Sequence, residues 1–297
     1  MFDGFIGKKI KAQGLTHAVW VGGEGPPVLL LHGYPQTHVI WHHIAPVLAK
    51  QFTVVLPDLR GYGDSDAPAD DAGHTVYSKR AMAADQVAIM AELGFEKFAV
   101  VGHDRGARVT YRMALDHPQN VTRMVSLDVV PTYEIWEAFD REASLAAFHW
   151  PLLAQPAPLP EVMIGHDPSY FLHWILRSWA ASGFAFDPEA FREYERHFTR
   201  SEVIAATCGD YRAGATTDVT HDAADRKAGH KITCPLMCLW GAEEGFAEQG
   251  GRSPLEVWAD WCDGPVSGAP IQSGHFLPEE APEAVLNHLI PFLREGK

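Results

Sequence analysis

The sequence predicts an α/β fold in which helices cover both faces of a mostly parallel β-sheet. Short apolar segments with the character of buried strands alternate with helical segments over residues 1–131, an order typical of parallel sheets. Strand signals disappear from residue 132 to residue 222 and then return. We therefore predict a sheet domain of residues 1–131 and 223–297, with a helical cap domain of residues 132–222 inserted into it.

The strands are predicted from short apolar runs that end at Gly, Pro or a polar residue. Residues 98–101, for example, form an entirely apolar run that ends at Gly102. In chain order, the predicted strands are residues 17–21, 27–31, 52–56, 98–101, 121–129, 235–240 and 265–271.

The helices are predicted from apolar periodicity and from the residues that stop them. The segment 77–93 ends at Gly94, and the segment 107–115 ends before Pro118. The other helices predicted in the sheet domain are residues 41–50, 255–262 and 281–293, and those in the cap are residues 133–150, 170–181 and 188–198.

Composition limits the classes of partner. A net charge of −14 argues against nucleic acid, and no apolar run reaches membrane-spanning length. The amino terminus has no charged-then-apolar order of a signal peptide. We therefore expect a cytoplasmic protein without nucleic-acid or membrane partners. The four cysteines form no CxxC pair and so predict neither a zinc site nor a redox motif: Cys208, Cys234, Cys238 and Cys262.

The segment around Asp104 has the order of a nucleophile elbow, namely strand, glycine, polar residues, glycine and helix. Gly102 and Gly106 allow the sharp turn that places the central side chain above the sheet. A carboxylate at this position can attack a saturated carbon and hold it as an ester. The alternative interpretation is that Asp104 caps the helix that follows.

Two further polar residues lie where predicted strands end, and we expect them near Asp104 because functional groups gather at the carboxyl ends of parallel strands. His275 follows the last strand and is predicted to be the base. Asp128 lies at the end of the strand at 121–129 and is predicted to orient His275; nucleophile, acid and histidine then stand in the chain order of a hydrolase triad. Glu243 and Glu244 are the alternative acids, because they follow the strand at 235–240.

Arg105 and Arg108 are three residues apart at the start of a helix, so both lie on one face beside Asp104. Their charges would lower the pKa of the carboxyl group. They could also bind a substrate carboxylate, at about 1.5–3 kcal/mol for each charge-assisted hydrogen bond. The alternative is an exposed pair of arginines in water.

At this point the chain resembles the fluoroacetate (haloacetate) dehalogenases, which belong to the α/β-hydrolase branch that also holds haloalkane dehalogenases and epoxide hydrolases. The resemblance covers about residues 5 to 295. It implies an α/β-hydrolase fold with the cap inserted after the sixth strand. The motifs that carry it are His32-Gly33-Tyr34-Pro35, residues 61–65, the elbow from Gly102 to Arg108, Phe148-His149-Trp150, residues 210–214 and Gly274-His275.

The resemblance also implies roles for the site residues. Asp104 would attack the α-carbon of a haloacetate, and His275, oriented by Asp128, would activate the water that hydrolyses the ester. The backbone N–H groups of Arg105 and Tyr34 would stabilise the oxyanion. The halide would leave toward three cap donors, His149, Trp150 and Tyr211. Trp179 would be a further residue of the pocket wall. No metal or organic cofactor is implied, and the family favours homodimers.

Two other functions stay open at this stage. An epoxide hydrolase would need two cap tyrosines to protonate the opening ring, and the arginine pair would have no purpose in it. A haloalkane dehalogenase would not need the arginine pair either, because its substrate is also neutral. A non-catalytic binding protein would have no need of a complete set of Asp, His and Asp. The candidate tyrosines are Tyr211 with one of Tyr133, Tyr170 and Tyr194.

Overall fold

The computed structural model describes residues 1–243 and 251–295. Within these ranges the strands form one sheet in the order β1-β2-β4-β3-β5-β6-β7-β8. The pairs β1–β2 and β2–β4 are antiparallel, and all other pairs are parallel. The strands are β1 (Ile6–Ala12), β2 (Leu15–Gly22), β3 (Pro27–Leu31), β4 (Thr53–Pro57), β5 (Phe98–His103), β6 (Val121–Leu127), β7 (Leu236–Gly241) and β8 (Val266–Ile271).

Helices lie on both faces of this sheet and in the cap. Those of the sheet domain are α1 (Ala45–Leu48), α2 (Lys79–Glu92), α3 (Arg105–Asp116), α12 (Pro254–Trp261), α13 (Leu277–Glu280) and α14 (Pro282–Arg294). Those of the cap are α4 (Thr132–Glu137), α5 (Arg141–Ala146), α6 (His149–Leu153), α7 (Leu159–His166), α8 (Pro168–Trp179), α9 (Pro188–Phe198), α10 (Ser201–Ala215) and α11 (Thr217–Ala228).

The predicted fold class is confirmed, and each predicted strand has a counterpart in the sheet. Strand β5 explains why the strand signals were strong. All its residues are buried, with Val100 in the apolar cluster on one face and Val101 in the cluster on the other. A parallel strand covered on both faces is apolar over nearly all its length. Strand β1 was not predicted, because most of its side chains are exposed and its sequence lacks an apolar pattern.

Two predicted helices were wrong in their extent. The segment 133–150 contains three short helices, α4, α5 and α6, because the Asp140 side chain accepts a hydrogen bond from Ala143 N–H and begins a new helix there. The segment 41–50 begins at the last residue of a 3₁₀ turn, His38–Trp41, and contains only the short helix α1. Pro46 lies in the first turn of α1, where its missing N–H is tolerated, and it excludes a continuous helix through this point.

The cap follows β6, as predicted, and residues 132–222 contain helices and no strand. Its predicted end at residue 222 falls inside α11, which continues to Ala228. The helix ends where Gly229 adopts a left-handed conformation with φ of 70°, a common helix stop. Across the described ranges, no helix is both long and apolar enough to cross a membrane.

Candidate active site

The site is built on a strained turn between β5 and α3. Asp104 occupies it with φ of 49° and ψ of −117°, a conformation that non-glycine residues rarely adopt and that is common at functional sites. Gly106 makes the turn possible, since a Cβ atom there would lie 2.4 Å from the carbonyl oxygen of His32. The Asp104 carboxylate makes no capping hydrogen bond to α3, whose residues are all described. Asp104 therefore has the geometry of an elbow residue rather than of a simple helix cap.

The two oxygens of the Asp104 carboxylate have different surroundings. Oδ1 accepts a hydrogen bond of 2.8 Å from the backbone N–H of Tyr34. Oδ2 lies 3.9 Å from Nε2 of His275, which is beyond hydrogen-bond length. Burial alone would raise the pKa of Asp104, but His275 and the guanidinium groups of Arg105 and Arg108 outweigh it and lower the pKa. The carboxylate is therefore ionised at neutral pH.

His275 and Asp128 lie side by side at the carboxyl ends of β8 and β6. His275 Nδ1 is 2.6 Å from Asp128 Oδ2, and Asp128 Oδ1 accepts a hydrogen bond of 2.7 Å from the N–H of Gly241. Burial lowers the pKa of His275, but the hydrogen bond and charge of Asp128 outweigh it, so its pKa is raised. The alternative acid Glu243 is exposed and bonded to Gln272, while Glu244 lies outside the described residues.

Three residues hold the loop of His275 from both domains. His103 Nε2 donates to the carbonyl of His275 at 2.8 Å, and His275 N–H donates to the carbonyl of Trp179 at 2.8 Å. The Glu280 carboxylate accepts the N–H of Gly274 at 2.8 Å. A Cβ atom on Gly274 would lie 2.7 Å from the carbonyl oxygen of Trp179, so only glycine fits against the cap. The sequence analysis did not identify His103 or Glu280 as residues that hold the His275 loop.

The two arginines beside Asp104 are both buried, but their side chains have different partners. Arg105 bonds to the cap carboxylate of Asp210, through Nη2 at 2.6 Å and Nε at 3.2 Å. Arg108 donates through Nη1 to the carbonyl of Val130 at 3.1 Å and to the hydroxyl of Thr132 at 3.2 Å. The alternative of an exposed pair of arginines is thereby excluded, because Arg105 is 0% and Arg108 3% exposed.

Each arginine keeps one buried N–H group for which the described residues supply no hydrogen-bond partner: Nη1 of Arg105 and Nε of Arg108. The Arg108 guanidinium also stacks 4.6 Å from the ring of Trp150, and that of Arg105 lies 4.2 Å from the ring of Tyr211. The aromatic rings hold the two guanidinium groups in place. Their unpartnered N–H groups can then bind a planar anion such as a carboxylate.

Aromatic side chains from the cap enclose the rest of the site. The His149 ring lies 4.4 Å from that of Trp179 and 5.5 Å from that of Tyr211. Trp179 is also 5.4 Å from His275, and Tyr34 of the sheet domain is 5.2 Å from Tyr211. The structure thus brings all the cap residues predicted from the sequence to one place, Trp150 included, since its ring is 6.2 Å from Tyr211.

Three polar atoms among these rings are buried and make no hydrogen bond within the described part of the chain: Nδ1 of His149, Oη of Tyr211 and Oη of Tyr34. Burial lowers the pKa of His149 to about 3, so the imidazole is neutral at physiological pH. Burial, aided by the charge of Asp104, raises the pKa of Tyr211 well above its usual range. Tyr211 therefore stays protonated and able to donate. Such groups are costly to leave unpaired, which indicates that they serve a ligand.

The comparisons with known proteins agree with this geometry. Residues 26–282 match the family model described as alpha/beta hydrolase fold. A fluoroacetate dehalogenase from Burkholderia sp is 41% identical over 100% of this chain and 96% of its own length. A soluble epoxide hydrolase from Corynebacterium sp. (strain C12) is 32% identical over 91% of each chain. A solved structure from Pseudomonas aeruginosa, described provisionally as an epoxide hydrolase, is 49% identical with a TM-score of 0.93, covering 99% of this chain and 96% of that one.

Proposed function

The chain belongs to the α/β-hydrolase family and is a hydrolase, and we propose that it removes halide from haloacetates. Fluoroacetate and water would give glycolate, fluoride and a proton. One observation carries the proposal: the buried guanidinium groups of Arg105 and Arg108 flank Asp104, and each keeps an N–H group unpartnered among the described residues. Two such cations beside the nucleophile suit a substrate that bears its own carboxylate.

The first step is a displacement at the α-carbon. Oδ2 of Asp104 forms a bond to this carbon while the carbon–halogen bond breaks, and the halide leaves with the bonding electron pair. The leaving ion meets the donors of the cap, His149, Trp150 and Tyr211. Because these donors are already in place, they stabilise the charge that develops in the transition state without reorganising.

The second step is hydrolysis of the ester on Asp104. His275 takes a proton from water at Nε2, and the water oxygen bonds to the carboxyl carbon of Asp104. The negative oxygen of the tetrahedral intermediate is Oδ1, which faces the N–H of Tyr34; the N–H of Arg105 is the proposed second donor. The ester bond then breaks, the glycolate oxygen takes the hydroxyl proton of the intermediate, and His275 releases its proton to water.

Epoxide hydrolysis is the second candidate, since a relative named soluble epoxide hydrolase shares 32% of the residues. Tyr211 could supply one of the two hydroxyl groups that protonate an epoxide, because its buried hydroxyl makes no hydrogen bond with the described residues. The tyrosines considered as its companion are elsewhere: Tyr170 is 67% exposed, and the hydroxyl of Tyr194 donates to Glu279 at 3.0 Å. Tyr133 packs against Arg226. This arrangement favours the haloacetate over the epoxide.

The deciding experiment gives the purified protein three substrates: fluoroacetate, styrene oxide and 1-chlorobutane. We expect fluoride release from fluoroacetate and much slower turnover of the two neutral compounds. Faster turnover of styrene oxide would make the protein an epoxide hydrolase, and faster turnover of 1-chlorobutane would make it a haloalkane dehalogenase. If no compound reacts while the protein is folded, a non-catalytic binding protein is favoured.

We also propose that the protein is a cytoplasmic homodimer. All four cysteine thiols are buried and unpaired, which suits a reducing compartment.

The proposed dimer rests on the surface of the cap. Most of the exposed large apolar side chains lie there, and such groups favour association. Light scattering should give twice the mass of one chain, and the Val162→Glu, Met163→Glu double variant should be monomeric. The cap side chains concerned are Leu145, Leu159, Val162, Met163, Tyr170 and Trp174.

A further inference from the structure

A second feature of the site is a buried carboxylate of the cap that joins three side chains of the sheet domain. Asp210, on α10, accepts hydrogen bonds from Arg105, from the hydroxyl of Tyr62 at 2.7 Å and from the ammonium group of Lys79. Asp210 and Lys79 are 0% and 1% exposed. The chemistry of the triad has no use for Lys79, so its burial needs a separate reason.

The partners of Asp210 come from separate parts of the sheet domain. Tyr62 lies in the loop after β4, Lys79 begins α2 and Arg105 begins α3. The next residue of the cap helix is Tyr211, whose ring is 4.2 Å from the Arg105 guanidinium. The carboxylate therefore determines where one proposed carboxylate-binding arginine and one proposed halide donor lie relative to each other.

The charges explain why a lysine is present. If Arg105 were the sole cation on Asp210, the two charges would cancel and the attraction for a substrate anion would be weak. Lys79 shares the same oxygen, Oδ1, so the negative charge of Asp210 is divided between two cations. Arg105 thereby retains both positive charge and its unpartnered Nη1 group. Lys79 is held by Asp218, whose Oδ1 accepts its backbone N–H at 2.8 Å and whose Oδ2 is 3.6 Å from its ammonium.

We infer that Lys79 and Asp210 are positioning residues that set the preference for an anionic substrate, by holding the Arg105 guanidinium in place without neutralising it. The inference rests on the proposed haloacetate function and deepens it. A purely structural ion pair would behave differently, because its loss would lower stability and affect charged and neutral substrates alike.

The test compares chloroacetate with chloroacetamide, which has the same leaving group and no charge. In Lys79→Met we expect the ratio of kcat/KM for chloroacetate to that for chloroacetamide to fall by about tenfold, the loss when one charge-assisted hydrogen bond is weakened. Most of the fall should come from a higher KM for chloroacetate, with kcat less changed. Lys79→Arg restores the cation and should recover part of the ratio.

A matched control stands next to Lys79 on the same helix. Arg80 forms an ion pair with Asp116 on the surface, at 2.8 Å and with 46% of the arginine side chain exposed. Arg80→Met removes the same kind of charge one residue away and should leave the ratio unchanged. An unchanged ratio in Lys79→Met would overturn the inference.

A second variant decides the question if Lys79→Met does not fold. Asp218→Asn keeps an oxygen that can accept the Lys79 N–H but removes the charge that competes for its ammonium. Lys79 would then pair more strongly with Asp210, and the chloroacetate preference should rise above the wild-type value. An unchanged or lower preference would overturn the inference. A wild-type enzyme with no preference for chloroacetate would instead overturn the proposed function itself, so the two failures are distinguishable.

Discussion

The sheet domain and the cap contribute to the site in opposite ways. In the sheet domain, the reacting groups are bonded to the protein: Asp128 to His275 at 2.6 Å, and Asp104 to Tyr34 at 2.8 Å. In the cap, the hydroxyl of Tyr211 and Nδ1 of His149 have no hydrogen-bond partner in the described ranges. Groups already paired in the resting protein define the chemistry, whereas unpaired donors gain most when charge develops opposite them. We therefore expect the triad of the sheet domain to determine whether reaction occurs, and the donors of the cap to determine which halide leaves.

The largest effect is expected at His275. His275→Asn should leave the first step intact and stop the second, so that turnover ends with a glycolyl ester on Asp104 visible by mass spectrometry. Wild-type enzyme in oxygen-18 water, in a single turnover, should carry the label in the Asp104 carboxylate. Label found in glycolate alone would mean direct attack by water on the substrate. Normal turnover by His275→Asn would remove this residue from the mechanism.

Loss of the orienting acid should have the next largest effect. Asp128→Ala should lower the rate of ester hydrolysis on the order of 10⁴-fold, the cost of losing the corresponding acid in related triads. The double variant Glu243→Ala, Glu244→Ala is the matched control and should stay close to the wild-type rate. The reverse result would assign the acid to the loop after β7.

The two arginines belong to the sheet domain and both donate to the cap, Arg105 to the Asp210 carboxylate and Arg108 to the neutral hydroxyl of Thr132, so they offer a direct test of the contrast. Arg105→Leu and Arg108→Leu should each lower kcat/KM for fluoroacetate by roughly a hundredfold. Arg105→Leu should in addition lower the free energy of unfolding by about 3 kcal/mol, because the buried Asp210 carboxylate loses one of the two cations that share its charge. Among the described residues, by contrast, the hydrogen bonds that Arg108 donates go to neutral acceptors.

Kinetics and urea unfolding measure both quantities, with Arg80→Leu as the surface control. Near-normal kcat/KM in both arginine variants would return a neutral substrate to favour. Equal loss of stability in both would contradict the difference between the charged partner of Arg105 and the neutral partners of Arg108.

The cap donors should have a smaller and more selective effect. Wild-type enzyme should turn over fluoroacetate at least as fast as chloroacetate, because several donors stabilise a compact ion more than a diffuse one. Tyr211→Phe and Trp150→Phe should lower defluorination by about tenfold to a hundredfold, and dechlorination less. Trp174→Phe, at a half-exposed cap position, is the control. Equal proportional losses for both halides would mean that these residues shape the cap without selecting fluoride.

The smallest expected effect is on pH dependence. Hydrolysis needs neutral His275, whose pKa is raised above its usual 6.5, so kcat should rise with pH through that raised value. The protonated ring is stabilised by Asp128, so its contribution to folding is fully present below pH 6.5 and is lost as pH rises through the raised pKa. Activity should increase while Tm decreases over the same range. His275→Asn should lack this part of the Tm slope, and an unaltered slope would contradict the assignment.

Much of the fold could be predicted because its signals are local. The apolar run at β5 and the glycines around Asp104 determine a strand and a turn over a few residues. The same holds for helix α9, whose predicted bounds match Pro188–Phe198. The exposed strand β1 lacked such a signal, because its pairing with β2 outweighs weak local preferences. The break in 133–150 does have a local signal, the capping residue Asp140, but the prediction followed the apolar periodicity of the whole segment.

The amino-acid sequence was sufficient for the fold class, and it predicted the elbow at Asp104, the chain order of Asp128 and His275, and the proposed cap donors. The pairing of the buried charges could be found only once the two domains were seen together. Asp210 and Arg105 are 105 residues apart in the chain, and nothing in the spacing of either predicts that a cap carboxylate meets both Arg105 and Lys79. Local patterns encode elements because backbone hydrogen bonds and burial repeat along the chain. The partner of a buried charge depends on which surfaces dock together, and here docking of the cap onto the sheet domain makes two adjacent arginines different.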